Sequence, residues 1–119
     1  MQRFSRILAV AFVLLAVVPF AFAHAHPTAT NPAPDSTGPA PKVISITFSE
    51  AIEPKFSSIK LTDESGKSAD SNASKPVAGD PKTLLLDVPS LAPGTYVVHW
   101  SNMATDGHKL AGEYKFTVK

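Results

Sequence analysis

Four histidines punctuate the chain, at His24, His26, His99 and His108. His24 and His26 directly follow Ala21-Phe22-Ala23, and His108 lies two residues beyond Asp106 in "TDGHK". Imidazole nitrogens and carboxylate oxygens ligate divalent metals, and their spacing decides whether they can share one ion. Asp106 and His108 form an i, i+2 pair, which on extended chain points to one side with roughly 7 Å between positions. Gly107 between them lets the backbone bend so that both can meet one ion. His24 gains a further donor if the chain is cut directly before it. A free α-amine titrates at about 8, within reach of neutral pH, and amine and imidazole Nδ1 of one residue can chelate one metal. With Asp106 and His108 the set becomes three nitrogens and one oxygen. Such a set suits Cu(II), which tops the divalent affinity order; zinc accepts similar ligands. Each piece also has a plainer reading: Asp-Gly is a common turn pair, and His24 and His26 could be solvated tail residues.

The cut has a sequence basis. Arg3 and Arg6 precede an uncharged run from Ile7 to Ala23, "ILAVAFVLLAVVPFAFA", broken by Pro19 and closed by a small-x-small exit. Charged start, apolar middle and small-residue exit make a secretory signal, with cleavage expected after Ala23. The competing reading, a membrane anchor, would put this run at the short end of a span and does not explain Pro19 or the exit. Residues 1–23 are therefore expected to be removed and residues 24–119 to form one domain. That domain carries nine lysines against ten acidic residues and no arginine. Scattered lysines with a balanced charge give no nucleic-acid footprint. Cysteine is absent, so an exported domain of this size must rely on its core without disulfides.

The elements that would hold these residues are strands. Residues 27–41, "PTATNPAPDSTGPAP", hold five prolines, which excludes a helix and predicts an extended lead-in along a sheet edge; a disordered linker is the alternative. In "KVISITFSE" Ile44, Ile46 and Phe48 share one face. Residues 56–61 predict a second strand with Ile59 and Leu61 inward, and residues 83–88 a third. The polar segment 63–82 reads as a long loop or weak hairpin. "TYVVHWS" at 95–101 sets Tyr96, Val98 and Trp100 against Val97 and His99, and 110–118 alternates around Leu110, Gly112, Tyr114, Phe116 and Val118. Short strands, many turns and no helical stretch after the signal predict an all-β Greek-key sandwich or barrel, cupredoxin-like or immunoglobulin-like. No P-loop, dinucleotide-binding glycine pattern, HExxH or GxSxG occurs.

Residues 24–119 resemble the CopC family of periplasmic copper-resistance proteins along nearly their whole length. The resemblance is carried by His24 with the lead "NPAPDS", by "ITFSE" ending at Glu50, and by "DPKTLLLDV", "LAPGTYVVHW" and "TDGHKLAGEYKFTV", in that order and spacing. It implies a small β-barrel binding Cu(II) near its amino terminus, with His24 giving amine and imidazole and with Asp106 and His108 as the other ligands. It places Glu50 close to the metal, as a weak ligand or a support for the ligands, and Trp100 in the core nearby. It also implies action beside a membrane partner of the CopD type. The chain stops at Lys119 without a carboxyl-terminal span, so that partner is expected to be a separate protein and this one a monomer.

One departure narrows the expectation. Some members carry a Met-rich loop for Cu(I), where soft thioethers select the reduced ion. Residues 61–82 contain neither Met nor His, and Met103 is the sole methionine after Ala23. A Cu(II)-only binder is expected, in copper resistance, buffering or delivery to a membrane importer. His26 introduces a rival mode. A free amine followed by a histidine in third place binds Cu(II) through amine, two deprotonated amides and imidazole, and His24-Ala25-His26 fits that pattern. His26 could otherwise assist as an outer ligand, and His99 is expected to have a surface or structural role. No general base or substrate cleft is legible, so the chain is not expected to be an enzyme. Two other classes stay open. One is an oxygen-activating copper enzyme with an amino-terminal histidine brace, which needs a broader substrate surface. The other is an immunoglobulin-like adhesion module with an incidental DGH turn.

Overall fold

The computed structural model describes residues 24–119; the expected signal and its cut after Ala23 lie outside the described residues on the amino-terminal side. Eight strands follow in order: β1 (Pro27–Asn31), β2 (Thr37–Gly38), β3 (Val43–Phe48), β4 (Ser58–Asp63), β5 (Lys75–Val77), β6 (Asp80–Asp87), β7 (Gly94–Met103) and β8 (Lys109–Val118). One sheet has the order β1-β3-β6-β5 and the other β2-β8-β7-β4. The result is a Greek-key β-sandwich, as the strand pattern predicts. Among the described residues the only helical piece is a single 3₁₀ turn at Pro54–Phe56.

The period-two pattern fixes which face each strand buries. Ile44, Ile46, Phe48, Leu84 and Leu86 come from the first sheet and Ile59, Leu61, Val98, Trp100, Phe116 and Val118 from the second, all buried in one cluster. Burying a Val, Leu, Ile or Phe side chain fully contributes about 1.5–3 kcal/mol, so this cluster carries the domain. Tyr96 stacks on Phe116 with ring centroids 5.7 Å apart, and Phe48 packs on Trp100 at 5.5 Å. Gly112 lies opposite Trp100 in the β7–β8 register. It has to be glycine for a steric reason: an added Cβ would come within 2.6 Å of Trp100 Cζ2.

The proline-rich lead is ordered along both sheets. β1 pairs antiparallel with β3, and β2 pairs parallel with β8. Between them Lys115 O accepts from Asp35 N–H at 2.7 Å and Ser36 O accepts from Thr117 N–H at 2.8 Å, so the lead crosses from one sheet to the other. Two strands begin at places the sequence reading did not expect. The second strand begins at Ser58, because Pro54 starts the 3₁₀ turn and Ser57 Oγ closes it on Glu53 O at 2.7 Å. The third begins at Asp80, because the weak hairpin forms: β5 pairs with β6 across Gly79, whose φ is +78°.

Candidate metal centre

The loop between β7 and β8 brings Asp106 and His108 together. Gly107 takes φ +90°, where a side chain would be strained, and the loop closes through Gly107 N–H to Ala104 O and Ala104 N–H to His108 O, both 2.8 Å. A bridge between Ile52 and Ala104 and a bond from Thr105 N–H to Ala51 O at 3.2 Å pin the loop to the chain that leaves β3. Asp106 Oδ1 accepts from His108 N–H at 3.0 Å, and Oδ2 lies 3.0 Å from His108 Nδ1. The His108 amide and then its ring hold the Asp106 carboxyl below its ordinary pKa, with His24 adding a smaller electrostatic pull. The carboxylate is thus kept as an anion, the form a cation needs.

His24 is brought to this loop. Its ring stands edge-on to the His108 ring, centroids 5.7 Å apart and planes at 74°. That spacing leaves room for one ion bonded to both rings at metal–nitrogen distances of about 2.0–2.1 Å. Two residues hold the His24 segment. Ser49, just past β3, donates its hydroxyl to His24 O at 2.9 Å, accepts His26 N–H at 3.2 Å and donates its own N–H to His26 O at 2.8 Å. Asn102, on β7, donates Nδ2–H to Ala25 O at 2.7 Å, and Ala25 is itself buried in the core.

His24, Asp106 and His108 are therefore gathered at one end of the sandwich, all three exposed. Glu50 is exposed next to Ser49. His26 is turned back on its own segment, Nδ1 lying 3.1 Å from His24 O and 3.2 Å from Ser49 Oγ. Among the described residues no group of three or more His, Asp or Glu side chains stands ready to hold a metal. Asp106 Oδ2 is turned to the His108 ring. His99 is on the outer face of the second sheet, its Nε2 2.8 Å from Thr62 Oγ1 and its Nδ1 3.2 Å from Glu113 Oε2. Ser49 and Asn102 escaped the sequence reading. Asn102 left a signal, being the one polar residue on the inward register Tyr96, Val98, Trp100, Asn102.

Comparison with known proteins decides the family. The CopC domain matches residues 27–119. The chain belongs to the CopC family. It is similar to Protein YobA of Escherichia coli strain K12, 39% identical over 105 residues, covering 87% of this chain and 85% of the relative. It is similar in structure to CopC from Methylosinus trichosporium OB3b, with TM-score 0.76 and 35% identity over 81% of this chain and 94% of that one. It is also similar to PcoC, a methionine-rich copper resistance protein from Escherichia coli, with TM-score 0.74 and 35% identity over 82% of this chain and 100% of that one.

Proposed function

We propose that this CopC-family chain is an exported Cu(II)-binding protein of the periplasm, cut after Ala23, that buffers copper or delivers it to a membrane importer. The observation that carries the reading is the meeting of His24 with the Asp106–His108 pair, far apart in sequence yet with the His24 and His108 ring centroids 5.7 Å apart. The donor chemistry fits: two imidazoles, one carboxylate held ionised and, after cleavage, one amine make a nitrogen-rich set of the kind Cu(II) prefers. Copper is cargo here, and the protein's contribution is to hold ligands at a fixed separation. PcoC, to which this chain is similar, is a copper resistance protein, which supports copper as the cargo.

PcoC is methionine-rich, and this chain is not: it has two methionines, of which Met103 alone lies beyond the expected cut. A thioether-rich Cu(I) site has no ligands here, so cargo is taken and released as Cu(II). The partner is a membrane protein of the CopD type, met by a monomeric carrier, and no catalytic step is assigned. Copper titration tests the reading. His24→Ala and His108→Ala should each weaken Cu(II) binding by at least about tenfold, the low end for losing a metal's supporting groups. If both bind as tightly as the unsubstituted protein, the site does not exist.

A further inference from the structure

Two ways of holding copper compete for the His24 amine. In one, His24 joins Asp106 and His108 across the fold. In the other, His24-Ala25-His26 wraps the ion alone. The second needs the Ala25 and His26 amide nitrogens, and the His26 Nδ1 that closes a ring with its own amide, all turned toward one ion. In this fold the His26 groups are engaged elsewhere and Ala25 is buried. His26 N–H points to His24 O at 2.9 Å and to Ser49 Oγ at 3.2 Å. His26 Nδ1 lies against the same two oxygens. Ala25 is 1% exposed and its carbonyl is gripped by Asn102.

Asn102 is an odd core residue. It is 2% exposed, its Nδ2 is used on Ala25 O, and its Oδ1 is buried with no hydrogen-bond partner among the described residues. A stranded buried acceptor is unfavourable, and an apolar side chain would avoid it. What the amide does achieve is the hold on Ala25. Ser49 makes the matching hold on the other side, through His24 O and His26 N–H.

We infer that Asn102 and Ser49 are positioning residues that select the coordination mode: they pin the backbone of residues 24–26 to the sandwich, present the His24 ring to His108 and keep the tripeptide from closing on the ion by itself. The inference rests on the proposed His24–Asp106–His108 site. Neither residue is a ligand. Their effect is to make the folded site cheaper to assemble than the peptide-like one, because the segment arrives already oriented.

The test uses the processed protein, residues 24–119, with its amino terminus checked by mass spectrometry and one equivalent of Cu(II). This span contains every residue of the described core. Electron paramagnetic resonance counts the coordinated nitrogens. In the unsubstituted protein the spectrum should change when His108→Ala is introduced. Asn102→Leu keeps volume and removes both amide groups. It should give a four-nitrogen spectrum that no longer responds to His108→Ala and that collapses when His26→Ala is added. Ser49→Ala should move the spectrum the same way, while Ser49→Thr, which keeps the hydroxyl, should not. If Asn102→Leu retains the original spectrum and its dependence on His108, the inference is overturned and the site stands. If the unsubstituted protein already shows four nitrogens regardless of His108, the site itself is wrong and the inference falls with it. Should Asn102→Leu fail to fold, judged by Trp100 fluorescence, the Ser49 pair decides by the same criteria.

Discussion

Gly112→Ala should destabilise the domain, and the structure says by how much. A Cβ there would lie 2.6 Å from Trp100 Cζ2, 2.9 Å from Cε2 and 3.2 Å from Nε1. Carbon atoms in comfortable contact stand about 3.5–4.0 Å apart, so the ring must retreat by about 1 Å. It has little room, since Trp100 is buried and packs on Phe48 at 5.5 Å. Overpacking of this kind costs about 1–3 kcal/mol. Against it stands a gain of about 0.4–1 kcal/mol from stiffening the unfolded chain. The net loss is then up to about 2.6 kcal/mol, centred on about 1.3, which for a domain of this size lowers Tm by roughly 5–10 °C. Thermal unfolding followed by fluorescence is the direct assay, because Trp100 is the sole tryptophan. The emission of folded Gly112→Ala should also shift, and adding Trp100→Phe, with unfolding then followed by circular dichroism, should recover part of the loss by coupling. An unchanged or raised Tm with unshifted emission would refute the tight approach of β8 to the Trp100 ring.

Two pH predictions follow from groups away from the metal centre. Burial pushes the Tyr114 hydroxyl up to about 12, with Thr30 pulling slightly the other way. The folded state thus keeps its proton longer than an unfolded tyrosine, whose value is about 10; stability is full below about 10 and falls as pH rises toward 12. Tyr114→Phe should flatten that alkaline decline in a Tm-against-pH series; an unaltered decline would contradict it. The Thr83 hydroxyl at 2.7 Å and the Lys82 amide at 2.9 Å lower the Asp80 carboxyl below its ordinary value. Its contribution is present above the usual carboxylate range, about 4, and is lost as pH falls through the lowered value. The Tm gap between the unsubstituted protein and Asp80→Asn should therefore close in acid, and a gap that persists at the lowest pH would count against the Thr83 contact.

Much of this was readable from periodicity. Ile44, Ile46 and Phe48, and Tyr96, Val98 and Trp100, alternate cleanly enough to fix strand, face and core. The tryptophan–glycine pair across β7 and β8 was not readable, because cross-strand register is a property of two segments at once. The segment 63–82 was legible only as a long loop or weak hairpin, since the three-residue edge strand at Lys75–Val77 needs no apolar face. At the proposed metal centre the candidate ligand types and the Asp106-Gly107-His108 spacing were legible. Their approach to His24 was expected from the donor set and from the family resemblance; the hydrogen bonds from Ser49 and Asn102 to backbone atoms that bring it about were not, because no residue type announces them. The inward Asn102 could have been questioned for its register alone.

The central claim is that removal of the signal creates a ligand, and one titration tests it most directly. Cu(II) is titrated into the protein beginning at His24 and into the same protein with Ala23 left in front of it. The extra residue turns the His24 amine into an amide and moves the free amine out of chelating reach while leaving the sandwich, Asp106 and His108 unchanged. The account predicts a large loss of affinity, at least about tenfold on the scale at which metal sites lose supporting groups. Equal binding by the two forms would contradict it.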